Sequence, residues 1–462
     1  MADSKKRGAP RLRKADRRQL EMRPYDLDSL LPEDHRARLV WAAVERLDLS
    51  ALYDAIDARE GTAGQPATDP AILLALWVFA TSEAIGSARH LERLCTRDHA
   101  YLWLCGGVTV NRTMLAEFRV QHGDALDALL TQLLAVLMNN GLLELRCVAH
   151  DGVRVRAHAG ASSFRRRETL EDHLTAAREQ VERLRNELDD DPATSTNREQ
   201  AARERAAQDR KTRLEHALRE MPELEALKDR RRTKAELAAR AAGKTAKTSD
   251  DRSPPPSTDD STEEPTVTTK RKVGEARVST TDPEARVMKM GDGGWRPAYN
   301  IQLAADTASR FVVGVSVTNL GNDGGQIVPM LEQLEKRIGR TPAQYLVDGG
   351  FAKHDDIDEL ATRGITVFAP VPKSRTEGID PHARHRHDSD ATAAWRARMA
   401  TDDAKQIYAQ RAATIETVNA DLRAWRGLQQ LPIRGATKVR ALAMLYALTF
   451  NILRLPRSLL GI

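Results

Sequence analysis

Two short apolar runs, far apart in the chain, end in the same way, and a fold containing both has to place them side by side. Cys147, Val148 and Ala149 lead through His150 into an Asp151-Gly152 step, after which Val153 and Val155 resume the run. Tyr345, Leu346 and Val347 lead into Asp348, Gly349 and Gly350. Apolar and β-branched runs bounded by glycine read as short buried strands, so each Asp is expected at or near a strand end. Glu416 follows inside a helical stretch. Carboxylates at strand ends and on a nearby helix supply the oxygen ligands that hard divalent cations take. Two such ions roughly 4 Å apart can activate a nucleophile and stabilise a leaving oxygen. A single Asp or Glu is ordinarily solvated surface charge; three in matching contexts point to a shared site.

Composition narrows the partners. The 462 residues suggest about three domains. A net charge of +5 permits a polyanionic partner without demanding one. The distribution says more, because Lys and Arg dominate residues 1–24, a basic arm suited to neutralising phosphates or, alternatively, a solubilising tail. Cys95, Cys105 and Cys147 lack CxxC spacing and read as small buried hydrophobes in a reducing compartment. No apolar core follows the charged start. The most apolar helix, near 125–138, is short for a bilayer and contains Asp127, Thr131 and Gln132, so a cytoplasmic, nucleoid-associated location is expected.

Residues 25–142 read as a helical domain. Asp69-Pro70, Ser87 and Asn111 open helices, and Asn140-Gly141 closes the long one. Short helices behind a basic arm suit a DNA-binding module, and equally any small bundle. Residues 166–245 carry Leu174, Val181, Leu184 and Leu188, then Leu214, Leu218, Met221 and Leu224, at helical spacing among Arg, Glu and Ala. A breaker between them predicts an antiparallel charged hairpin acting as spacer or dimer contact. Residues 246–275 read as a disordered linker. Order is expected to return at Trp295, with strands near 299–305 and 311–317, a helix at 326–338, a strand at 345–347, a helix near 355–362 and a strand at 365–369. Three antiparallel strands followed by α/β units is a ribonuclease H-like order. The expected fold is therefore α+β: a helical N-terminal DNA-binding domain, then a ribonuclease H-like α/β catalytic domain (143–165 and 276–460) interrupted by the hairpin.

These motifs resemble the DDE transposases of bacterial insertion sequences, the branch with a helical N-terminal domain and a charged insertion after the first catalytic strand. The residues from His150 to Ala157 resemble the family's first-aspartate strand, and those from Ser279 to Arg286 with Tyr299, Asn300 and Gln302 its re-entry into the sheet. Asp348-Gly349-Gly350-Phe351 resembles the second-aspartate motif, and Tyr408, Arg411, Glu416 and Arg423 the helix signature of Tyr, Arg, Glu and Lys. Arg423 stands where the family usually has Lys, and Asn419 where an aromatic is common. Asp323 resembles an acid the family keeps near a helix start; an N-cap would also explain it.

The resemblance implies cleavage at terminal inverted repeats and joining of the freed 3′-OH to target DNA. Asp151, Asp348 and Glu416 would hold two Mg²⁺ ions, or Mn²⁺, while Tyr408, Arg411 and Arg423 position DNA phosphates. A homodimer on double-stranded DNA is implied, and no membrane. Uniform α-helical winding would nearly superpose Glu416 on Arg423 and set Tyr408 within about 80° of that face. A DNA-binding protein that has lost catalysis, and a ribonuclease H-like nuclease without strand transfer, are the alternatives.

Overall fold

Residue chemistry accounts for the helical half element by element. The computed structural model describes residues 26–59, 65–190, 197–241, 275–373, 378 and 380–461. The basic arm and nearly all of the 246–275 linker lie outside the described residues. The first helices are α1 (Arg36–Glu45), α2 (Ser50–Asp54), α3 (Pro70–Ser82), α4 (Ala88–Leu94), α5 (His99–Cys105), α6 (Arg112–Gln121) and α7 (Gly123–Asn139). Asp69 caps α3 by accepting from the Ala71 N–H, with Pro70 at the first helical position; Ser87 and Asn111 cap α4 and α6. The α7 helix gives way to Gly141 at φ 69°, a conformation glycine adopts without Cβ strain. All three cysteines are buried and unbridged.

Next, β1 (Cys147–Arg156) enters the main sheet and β2 (Phe164–Arg165) leaves it. The charged segment forms α8 (Arg167–Asp190) and α9 (Asn197–Ala241). They run antiparallel, since Arg167 pairs with Glu225 and Arg178 with Glu215. Leu170, Leu174 and Ala177 meet Leu214, Ala217 and Met221 in a small separate core. Order returns earlier than Trp295: β3 (Val278–Ser279) pairs with β2, and β4 (Arg286–Lys289) pairs with the start of β5. These strands are too short to show a period-2 pattern, which is why sequence pattern alone passes over them.

The remaining elements are β5 (Trp295–Asp306), β6 (Val312–Thr318), α10 (Ile327–Ile338), β7 (Gln344–Leu346), α11 (His354–Thr362), β8 (Thr366–Phe368) and α12 (Asp390–Ala400). A helical rod follows, in which α13 (Asp402–Arg411) and α14 (Thr417–Ala420) are each continued by a π-wound segment, Ala412–Glu416 and Asp421–Trp425. The chain ends in α15 (Ala436–Ile452) and α16 (Arg457–Leu460). The main sheet runs β4-β5-β1-β7-β8, with β6 also on β5. The β4, β5, β6 and β1 pairings are antiparallel, while β7 and β8 join parallel to β1. The architecture is mixed α+β. One continuous buried apolar cluster joins α1–α7, the sheet and α15. Every residue of α3 is buried, the signature of a helix that is apolar all round. Among the described residues no helix is long and apolar enough to cross a membrane.

Candidate functional site

The sheet gathers the distant acids. The β1–β7 pairing sets Ala149 opposite Leu346, so Asp151 and Asp348, each two residues further on, emerge from adjacent parallel strands. The rod crosses beside them and adds Glu416. All three line one cleft of about 540 Å³, with Arg154, Asp323, Asn419, Arg423 and Gln429 in its walls.

Each acid is held differently. Asp151 Oδ1 accepts from its neighbour Gly152 N–H at 3.0 Å, and Oδ2 from Asn419 Nδ2 at 3.1 Å. Asp348 Oδ1 accepts from Gly350 N–H at 2.8 Å. The Arg411 guanidinium bridges the other two acids, with Nη2 3.1 Å from Asp151 Oδ1 and Nη1 3.1 Å from Glu416 Oε1. Burial pushes the Asp151 carboxyl up to about 6; Arg411 opposes the rise and Asp348 adds to it.

The winding of the rod explains how Arg411 reaches Glu416. Residues five apart on an α-helix diverge, whereas a π-wound stretch bonds i to i+5 and brings such residues into register. The uniform 3.6-residue winding expected from sequence is therefore corrected by the segments Ala412–Glu416 and Asp421–Trp425. Glu416 and Arg423 still share the cleft.

Tyr408, Arg411 and Arg423, which the resemblance assigns to DNA phosphates, are not brought together as a set. Arg423 is exposed in the cleft wall. Arg411 is only 8 % exposed and turned onto the acids. Tyr408 is half-buried against the core, and burial raises its pKa. Asn419 is the residue that the resemblance leaves without a role; here it hydrogen-bonds Asp151, a contact only the winding of the rod reveals. His150 is fully buried, shares a hydrogen bond with Tyr345 Oη at 2.9 Å, and is driven by burial to about 3, so it is neutral and part of the core.

As the side chains stand, no three His, Cys, Asp or Glu groups among the described residues close around a point where a metal could sit. Arg411 supplies the positive charge between Asp151 and Glu416. The donor set nevertheless suits a hard divalent cation, being all carboxylate oxygen. The buried Asn419 Oδ1 beside Asp151 also has no hydrogen-bond partner.

A mixed sheet carrying an acid cleft flanked by guanidiniums defines the class as an α+β protein. A family model described as a transposase DDE domain matches residues 257–452, and one described as a transposase domain matches residues 25–121. The chain belongs to the DDE transposases, the mobile-element class that insertion sequences encode. Asp348, Glu416 and Arg423 fall inside the first match, and Asp151 lies between the two. No curated protein and no solved structure matches the chain.

Proposed function

We propose that this transposase cuts phosphodiester bonds at the inverted-repeat ends of its element and joins the freed 3′-OH to target DNA, with Asp151, Asp348 and Glu416 as its metal ligands. The observation that carries the reading is that these carboxylates, from β1, the β7 end and the rod, line a single cleft with Arg154 and Arg423. The order of the main sheet, with β1, β5 and β6 antiparallel beside the short β4 and with β7 and β8 added in parallel, supports a ribonuclease H-like catalytic unit. Two Mg²⁺ ions, or Mn²⁺, bound there would supply charge stabilisation for the attacking and departing oxygens.

The chain's own groups do the rest. Gly152 N–H and Asn419 orient Asp151, Gly350 N–H orients Asp348, and Arg423 offers a guanidinium to a neighbouring phosphate. Arg411 balances the charge of Asp151 and Glu416, and would be the guanidinium closest to a phosphate brought to these acids. Base recognition is assigned to the N-terminal helices and the basic arm, and both ends are held by a homodimer, with the charged hairpin as the candidate contact.

The test is cleavage and strand transfer on labelled element-end DNA in Mg²⁺ and in Mn²⁺, wild type beside Asp348→Asn. The expected outcome is 3′-OH release and joining by the wild type, with at least a thousandfold loss in the variant and unchanged DNA binding. Cleavage without joining would identify a nuclease. Binding without cleavage in either metal would identify a DNA-binding protein that has lost catalysis.

A further inference from the structure

A second polar cluster is built into the wall of the acid cleft. Asp323, in the loop before α10, is 8 % exposed, and its Oδ1 accepts from Asn300 Nδ2 at 2.7 Å and Gln302 Nε2 at 2.8 Å. Both amides are fully buried on β5. Asp323 Oδ2 lies 3.5 Å from Nη2 of Arg154, whose Nη1 donates to the Lys289 carbonyl at 3.1 Å. Gly152 packs directly on this cluster: a Cβ there would come within 2.1 Å of Asp323 Oδ1 and would have to displace it.

Burying a carboxylate with its charge partner carries a desolvation penalty that apolar packing would avoid. An N-cap role does not account for it, because α10 shows no side-chain cap bond. The arrangement instead fixes a guanidinium. Asp323 sits behind and Arg154 in front, its side chain 31 % exposed in a wall that also carries Asp151 and Arg423. Each terminal nitrogen of Arg154 carries two hydrogens and has one protein partner, which leaves donors for a phosphate oxygen.

We infer that Arg154 is a phosphate-positioning residue for the DNA strand entering the acid cleft, held in orientation by Asp323 through Asn300 and Gln302. The inference rests on the DNA reading of the cleft above. In full-length protein, binding of element-end duplex is followed by fluorescence anisotropy across a salt series. Arg154→Gln should weaken binding about tenfold on any sequence and lower the salt slope by about one, while Arg154→Lys keeps the slope. A scan of single neutral methylphosphonates should find one phosphate whose neutralisation weakens wild type but not Arg154→Gln. Should Arg154→Gln fail to fold, wild type alone suffices: bound DNA should protect Arg154 from phenylglyoxal, read by mass spectrometry. An unchanged slope with an unchanged phosphate scan, or no protection by bound DNA, overturns the inference and leaves the DNA reading standing. Wild type that binds no DNA at any salt overturns both.

Discussion

The helix α3 and the hairpin α8–α9 are built on opposite principles. All of α3 is buried, and it packs with α1, α5, α6 and α15 in the cluster that continues into the sheet. The hairpin is longer but closes over a narrow seam, with partly exposed ion pairs such as Arg167–Glu225 along it. Apolar burial stabilises by about 25 cal/mol per Å², whereas exposed ion pairs contribute about 1 kcal/mol or less. The N-terminal helices are thus structurally part of the sheet's support, whereas the hairpin has a small core of its own, tied to the rest through Val278 and the Arg286–Glu220 pair. The helix α15 makes the link, packing on α3, α6 and α7 on one side and β6 on the other.

Breaking the shared core should have the largest effect. Trp77 is 1 % exposed, donates Nε1–H to the Leu115 carbonyl at 2.9 Å, and stacks under Arg119. Trp77→Ala is expected to destabilise by about 3–5 kcal/mol in denaturant unfolding, with helices and sheet lost together. Independent unfolding of the two would break the comparison.

The cleft should behave in the opposite sense. Burial raises Asp151 from its ordinary 3.8 to about 6, so the folded protein holds this proton over a pH range where the unfolded chain has lost it. Its unfavourable contribution is absent below about pH 4 and complete above about pH 6. In metal-free protein Asp151→Asn should therefore raise stability on the order of 2–3 kcal/mol at pH 7.5 while abolishing cleavage. Thermal melts should show the gain vanishing near pH 4; a gain that persists there would remove burial as its cause.

The hairpin should give the smallest and most local response. Met221 is fully buried in the small core. Met221→Ala should lower protection of amides in α8 and α9 by about 2 kcal/mol in hydrogen exchange, leaving β1 and β7 unchanged. Loss of protection in the sheet would mean that the hairpin is structurally integral.

Much of this organisation was legible in residue order. The Asp69-Pro70, Ser87 and Asn111 starts, the Asn140-Gly141 stop and the seam of the hairpin all depend on near neighbours or on one helical period. The first-aspartate and second-aspartate segments carried enough local pattern to be placed on strands, and the family match bears out the class they suggested. The two-residue β3 and the four-residue β4 were not legible, because their partners alone make them strands.

By itself the sequence determined which residues cap, turn and bury, and that Asp348 follows a strand end. Those properties arise from backbone preference and apolar periodicity within a few residues. Asp151, expected at an end, lies instead in the middle of β1, because β5 pairs with that strand on through Arg156. Only the tertiary structure decided that Arg411 bridges Asp151 and Glu416, that Asn419 holds Asp151, and that Asp323 backs Arg154. Those contacts depend on a π-wound rod and on strands drawn from distant segments. Their distances of a few ångströms are fixed by packing, which no local pattern encodes.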